Sequence, residues 1–179
     1  MERRRPDIHY TTADYDQWEG DWELWDGVPV AMSPSPFERH GELAGELIYR
    51  IKQQLREQKN CNCRVLVEID WRVTLDTVVR PDISVLCDRE PRDGHINRPP
   101  TLIAEVLSPV TEKKDRTAKF DLYAEQGVPH YLMVAQDTGA VEALTLTDGT
   151  YAASVPGEAG FALELHDDCR LVLPAVLEV

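Results

Sequence analysis

Thr101-Leu102-Ile103-Ala104-Glu105-Val106-Leu107-Ser108-Pro109 is an apolar run with one carboxylate in its middle, running straight into a serine-proline pair. The run reads as a buried strand, and Ser-Pro is a helix start, because serine caps and proline suits the first helical position. The following residues carry the helix over 110–126, where Gly127 stops it and Pro129 follows. Just upstream, Arg80-Pro81-Asp82-Ile83-Ser84-Val85-Leu86 repeats the theme of a short apolar strand with one acid near its start.

Working outward, residues 64–75 alternate in strand fashion, and His130 to Val134 and Val141 to Leu146 read as further strands. A Thr147-Asp148-Gly149-Thr150 turn leads to a final β segment. Near the N-terminus, Trp22-Glu23-Leu24-Trp25 and Val28-Pro29-Val30-Ala31-Met32 flank Asp26-Gly27, which supplies the positive backbone angles of a tight hairpin turn. Pro29 predicts an edge strand there. Ser35-Pro36-Phe37-Glu38 forms a second helix start, with the capping-box spacing, and the helix runs to about Lys59. Leu43, Leu47, Ile51 and Leu55 give it one apolar stripe. Strands flanking long helices predict an α/β or α+β domain with a mixed central sheet flanked by helices.

The chain has 179 residues, enough for one good core and not for two, so residues 1–179 are expected to form a single domain, with 1–17 as a loose N-terminal arm. No stretch is apolar enough to span a bilayer and the start is not a signal core, so a cytoplasmic location without membrane attachment is expected. The net charge is −13, which excludes indiscriminate attraction to nucleic acid or anionic lipid. The acidity sits at the ends, with eight acids against three bases over 1–36 and eight against one over 135–179. The middle is nearly neutral. Four cysteines, Cys61, Cys63, Cys87 and Cys169, are too sparse for a disulfide scaffold, so reduced thiols are expected. Cys61-Asn62-Cys63 has no matching ligand pair downstream, so a zinc site is not expected either.

Asp82 and Glu105 carry the chemistry. A buried charge is costly unless paired or bound to a metal, and two acids on neighbouring apolar strands suggest a hard-cation site for Mg²⁺ or Mn²⁺. Taken singly, Asp82 also reads as a turn residue and Glu105 as part of a solvated sheet face. Asp115 and Lys119 are four apart on the following helix, with Tyr123 one turn on, so all three share a face. That face returns over the strand end, where Lys119 would orient or deprotonate a water and steady charge on a phosphoryl oxygen. It also reads as an ordinary surface ion pair.

Pro81-Asp82-Ile83-Ser84, Glu105-Val106-Leu107-Ser108-Pro109, Asp115-Arg116 with Lys119 and Tyr123, and Gly127-Val128-Pro129 before Tyr131 together resemble the Uma2 family (DUF820) of restriction endonuclease-like proteins. Trp22-Glu23-Leu24, Asp26-Gly27, Met32-Ser33-Pro34-Ser35-Pro36 and His40 resemble that family's opening. The resemblance implies a PD-(D/E)XK nuclease core. It implies Asp82, Glu105 and Lys119 as catalytic residues of a Mg²⁺- or Mn²⁺-dependent endonuclease, which hydrolyses phosphodiester bonds in DNA with a metal-activated water. The cation would be held by Asp82, Glu105 and the Val106 carbonyl. The superfamily's lysine, two residues after the glutamate, is replaced here by Leu107. Its role passes to Lys119 on the helix.

His40, Glu46, Ser108, Asp115 and Tyr123 are the residues expected around that centre, and Arg39, Lys113, Lys114 and Arg116 are candidate phosphate binders at the two Ser-Pro helix starts. A homodimer is expected, because two-strand cutting pairs sites by symmetry and the Trp-rich hairpin offers an apolar edge. The alternative reading is a catalytically weak or silent module that keeps the nuclease fold and binds nucleic acid or protein.

Overall fold

A computed structural model describes residues 8–32, 38–87, 93–166 and 169–179. A short helix α1 (Thr12–Tyr15) precedes the hairpin β1 (Trp22–Trp25) and β2 (Val28–Ala31), and the long helix α2 (Glu38–Glu57) follows. Next come β3 (Arg64–Val67), β4 (Trp71–Arg72), β5 (Val78–Val79), β6 (Ile83–Leu86) and β7 (Leu102–Leu107). Helix α3 (Glu112–Lys114) passes through a π-helical turn, Asp115–Lys119, into α4 (Phe120–Glu125). The chain ends with β8 (His130–Ala135), β9 (Val141–Thr147), β10 (Thr150–Ala153) and the hairpin β11 (Phe161–His166) and β12 (Cys169–Leu173).

The central sheet has six strands in the order β10-β9-β8-β7-β6-β3. Among the described strands of this sheet, β7 and β8 are the one parallel pair, joined by the helical crossover that such a pair requires. A second sheet, β2-β1-β5-β4, places the Pro29 strand at its edge as expected. Asp26 and Gly27 turn its hairpin with φ of 47° and 77°.

Strand β7 is buried along its whole length because both sheet faces are covered. On one face Leu102, Ala104 and Val106 meet Leu43, Leu47, Ile51 and Leu55 of α2 and Phe161, Leu163 and Leu171 of the last hairpin. Each of the buried Leu, Ile, Val and Phe side chains in this set contributes roughly 1.5–3 kcal/mol. On the other face Ile103 and Leu107 meet Tyr123, Tyr131, Trp71 and Val128. Glu105 shares that second face by alternation.

Three local expectations change, and a fourth is not reached. Residues 8–17 are not loose: Tyr10 N donates to Gly27 O, Thr12 N to Leu75 O, and the Tyr15 hydroxyl to Asp70 at 2.9 Å. The Ser35-Pro36 start lies outside the described residues apart from Glu38. The crossover helix begins at Glu112 rather than 110, because Ser108 and Thr111 first close a turn with their hydroxyls 3.1 Å apart. The cysteines are not reduced: Cys61 bonds Cys169 and Cys63 bonds Cys87. The fold supplies what spacing did not show, bringing their Cα atoms to 5.1 and 3.9 Å.

Candidate active site

Ile83 stands opposite Ala104 in the antiparallel β6–β7 pair, so the next position places Asp82 opposite Glu105. Residues directly opposite share a sheet face. Asp82 N donates to Glu105 Oε2 at 3.3 Å, and Val106 N donates to Asp82 Oδ2 at 2.8 Å. Pro81 disfavours a helical conformation at Arg80, the residue before it. His40, at the start of α2, sets Nε2 3.2 Å from Asp82 Oδ2.

The crossover supplies the cation. Lys119 Nζ donates to Glu105 Oε1 at 2.7 Å, and the Tyr123 hydroxyl donates to the same oxygen at 2.8 Å. Lys119 Nζ also stands 3.4 Å from Asp115 Oδ1. Asp115 and Lys119 open and close the π-helical turn. Such turns widen the helix locally and are frequent at functional sites. The Tyr131 hydroxyl donates to Asp115 O at 3.0 Å and pins the turn to β8.

One member escaped the sequence reading. Glu23 of β1 is fully buried, 3.8 Å from Lys119 Nζ and 2.6 Å from Lys114 Nζ. It also accepts from Trp25 Nε1 at 3.0 Å and Arg80 N at 3.1 Å. The only sequence signal was a carboxylate between Trp22 and Leu24 in an otherwise apolar strand.

These charges set one another. Burial pushes the Glu105 carboxyl up, opposed by the Lys119 charge and reinforced by Asp82 and Asp115. Burial likewise raises Asp115, against Lys119. Burial works against the Lys119 ammonium, yet the carboxylates of Glu105, Glu23, Asp115 and Asp82 together hold its pKa above the ordinary lysine value. Lys119 is therefore a fixed cation near neutral pH. The hydrogen bond to Asp82 raises His40 despite its burial, and Glu23 is held low by Lys119 and Lys114 against its own burial.

Asp82, Glu105, Lys119, Asp115, Tyr123 and His40 thus come together. Ser108 is buried at the end of β7 but bonds to Thr111 rather than to the carboxylates. Glu46 pairs with Arg50 at 2.6 Å on α2 instead. The four basic candidates do not gather into a patch. Lys114 is held by Glu23, Arg116 by Glu112 at 2.9 Å and Glu142 at 2.5 Å, Arg39 donates to Val179 O at 3.1 Å, and Lys113 is exposed.

The donor set suits a hard divalent cation: two carboxylates opposite each other on one sheet face. Glu105 Oε1 accepts from two donors, and Oε2 faces Asp82, accepting the longer bond from its N–H at 3.3 Å. Asp115 Oδ1 is buried and makes no hydrogen bond of good geometry among the described residues, its neighbouring charge being Lys119 Nζ at 3.4 Å.

Residues 12–173 match the family model Uma2, described as "Putative restriction endonuclease". An uncharacterized protein of Synechocystis sp. is 41% identical over 64 residues, or 35% of this chain and 34% of that protein, so the match spans about a third of that relative's length. The crystal structure of "a putative nuclease belonging to DUF820" from Anabaena variabilis superposes with a TM-score of 0.68 at 18% identity, covering 86% of this chain and 88% of that one. At that identity the likeness establishes the fold.

Proposed function

The chain belongs to the Uma2 family, and we propose that it is a Mg²⁺- or Mn²⁺-dependent endonuclease that hydrolyses phosphodiester bonds in DNA at Asp82, Glu105 and Lys119. The observation that carries the reading is the strand register that sets Asp82 opposite Glu105 while Lys119 Nζ reaches Glu105 Oε1 at 2.7 Å. Asp82, Glu105 and the Val106 carbonyl would hold the cation, which when bound neutralises phosphate charge and acidifies a water. Lys119, kept protonated by its carboxylate neighbours, serves as a cation facing a phosphoryl oxygen rather than as a base. Tyr123 holds Glu105 in orientation through Oε1. His40 does the same for Asp82 through Oδ2.

A second reading has its own observation. Lys114 and Arg116 are spent on acids of the same chain, and the net charge is −13, which weakens duplex binding. That favours a silent module that keeps the fold and binds nucleic acid or protein.

Nicking of supercoiled plasmid decides between them. Wild type, Asp82→Ala and Lys119→Ala are compared with Mg²⁺ or Mn²⁺ and with EDTA, after circular dichroism shows each form folded. Metal-dependent nicking lost in both variants supports the nuclease. Folded wild type that binds Mn²⁺ but cuts neither plasmid nor single-stranded DNA overturns it in favour of the module.

A further inference from the structure

The two disulfides are not separate. The sulfurs of Cys61, Cys63 and Cys169 all lie within 4.8 Å of one another, and Cys63 is bonded to Cys87. All four thiols therefore meet in one place, drawn from the α2–β3 connection, the end of β6 and the start of β12. Cys169 is buried and the other three are half-buried against the main core.

The convergence has support besides the sulfur bonds. Four registered pairs from Arg64↔Leu86 to Val67↔Ile83 hold β3 to β6 and put Cys63 beside Cys87 at the ladder's next step. The Gln54 side chain brackets Val172, donating to its O at 2.9 Å and accepting from its N at 2.8 Å. Gln58 brackets Arg170 in the same way, at 2.7 and 2.8 Å. These two clamps fix the end of α2 on β12 and so deliver Cys61 to Cys169. Reduction would leave four thiols held in a half-enclosed pocket.

We propose that these cysteines form one site with two states: two disulfides when oxidised and, when reduced, a tetrahedral four-thiolate site for Zn²⁺. Sulfurs bound about 2.3 Å from a tetrahedral ion sit about 3.8 Å apart, within the spread already present. The set is all thiolate, which selects zinc over the hard cation expected between Asp82 and Glu105. A partly buried, closed set of four protein ligands is the pattern of a structural site rather than a catalytic one.

The change of state balances. Each disulfide takes two electrons and two protons from a dithiol reductant, which leaves as its own cyclic disulfide. The four thiols then lose their protons to solvent as four Zn–S bonds form. The sequence reading dismissed Cys61-Asn62-Cys63 because no second pair follows it. The second half is assembled from Cys87 and Cys169, on two strands that sequence spacing does not connect.

The test uses full-length protein reduced with a dithiol, desalted anaerobically and titrated with Zn²⁺ or Co²⁺. Reduced wild type should retain about one equivalent of Zn²⁺, and Co²⁺ should show tetrahedral d–d bands with thiolate charge-transfer absorption. One equivalent of Zn²⁺ should protect all four thiols from a disulfide reagent. Cys61→Ser/Cys169→Ser and Cys63→Ser/Cys87→Ser should each lose about a hundredfold or more in affinity. Asp82→Ala should keep the thiolate spectrum, which separates this site from the carboxylate one. Thiols that react equally with and without Zn²⁺, Co²⁺ bound without thiolate absorption, or a double variant binding like wild type would each overturn the proposal. The thiol-protection arm needs no substitution, so misfolding of a variant does not decide the result.

Discussion

Glu23 Oε1 stands 3.8 Å from Lys119 Nζ, and neither side chain is more than 5% exposed. The first hairpin thus brings a second buried carboxylate to Lys119 beside Glu105. Glu23→Ala removes an acceptor shared by Lys114, Trp25 and Arg80 N. Breaking a buried pair this way costs about 3–5 kcal/mol. Urea denaturation should show that loss, and an effect below about 0.5 kcal/mol, the range of an ordinary surface change, would show that the hairpin does not support the site.

Lys119→Met leaves Glu105 and Asp115 buried without their cation. Both carboxyls are already raised by burial, and loss of the ammonium raises them further. A carboxyl raised in the folded state holds more protons than the unfolded chain, so stability falls as pH rises above the ordinary carboxylate value near 4.3. The variant should therefore be closer to wild type at pH near 5 than at pH near 8 in paired urea titrations. A deficit independent of pH would mean that the lysine acts by packing alone.

His130 supplies an acid-sensitive point away from the cluster. Its Nε2 meets Glu164 O at 2.9 Å, and burial lowers its pKa. The unfolded chain then takes up a proton below about pH 6.5 before the folded one does, so stability drops as pH falls through that value toward the lower folded pKa. His130→Gln should flatten that slope in thermal melts between pH near 7.5 and 5.5. An unchanged slope would assign the acid sensitivity elsewhere.

Two glycines of positive φ separate crowding from backbone strain. At Gly160, with φ +112°, a Cβ would collide with the Leu173 carbonyl, whereas at Gly149, with φ +78°, it would meet nothing within 4 Å. Gly149→Ala should cost about 1–2 kcal/mol from conformation alone. Gly160→Ala should cost more, because the β11–β12 hairpin must open to admit the methyl. Equal losses in melting temperature would refute the distinction.

Much of the candidate cluster was legible in the chain. Asp82 and Glu105 stood out as single acids in apolar strands, and the four-residue step from Asp115 to Lys119 put both on one helix face. What was hidden depended on long-range placement. Glu23 looked like a hairpin residue because nothing local says that β1 docks beside the crossover. Cys61 and Cys169 are 108 residues apart, beyond any spacing rule. The π-helical turn has no pattern distinct from an α-helix. His40 was legible as a neighbour of the centre, whereas Glu46, one and a half turns on, lies on a different side of α2 and found Arg50.

The charged cluster draws on β1, the start of β6, β7 and the crossover helix, so no single segment contains it. Gathering those pieces means closing several long loops, an entropic cost met before the contacts that repay it. A chain emerging from a ribosome, or one that has folded only its first half, holds these carboxylates apart and hydrated. The proposed cation site is therefore complete only once the sheet is, and on that proposal a growing or misassembled copy would be unarmed.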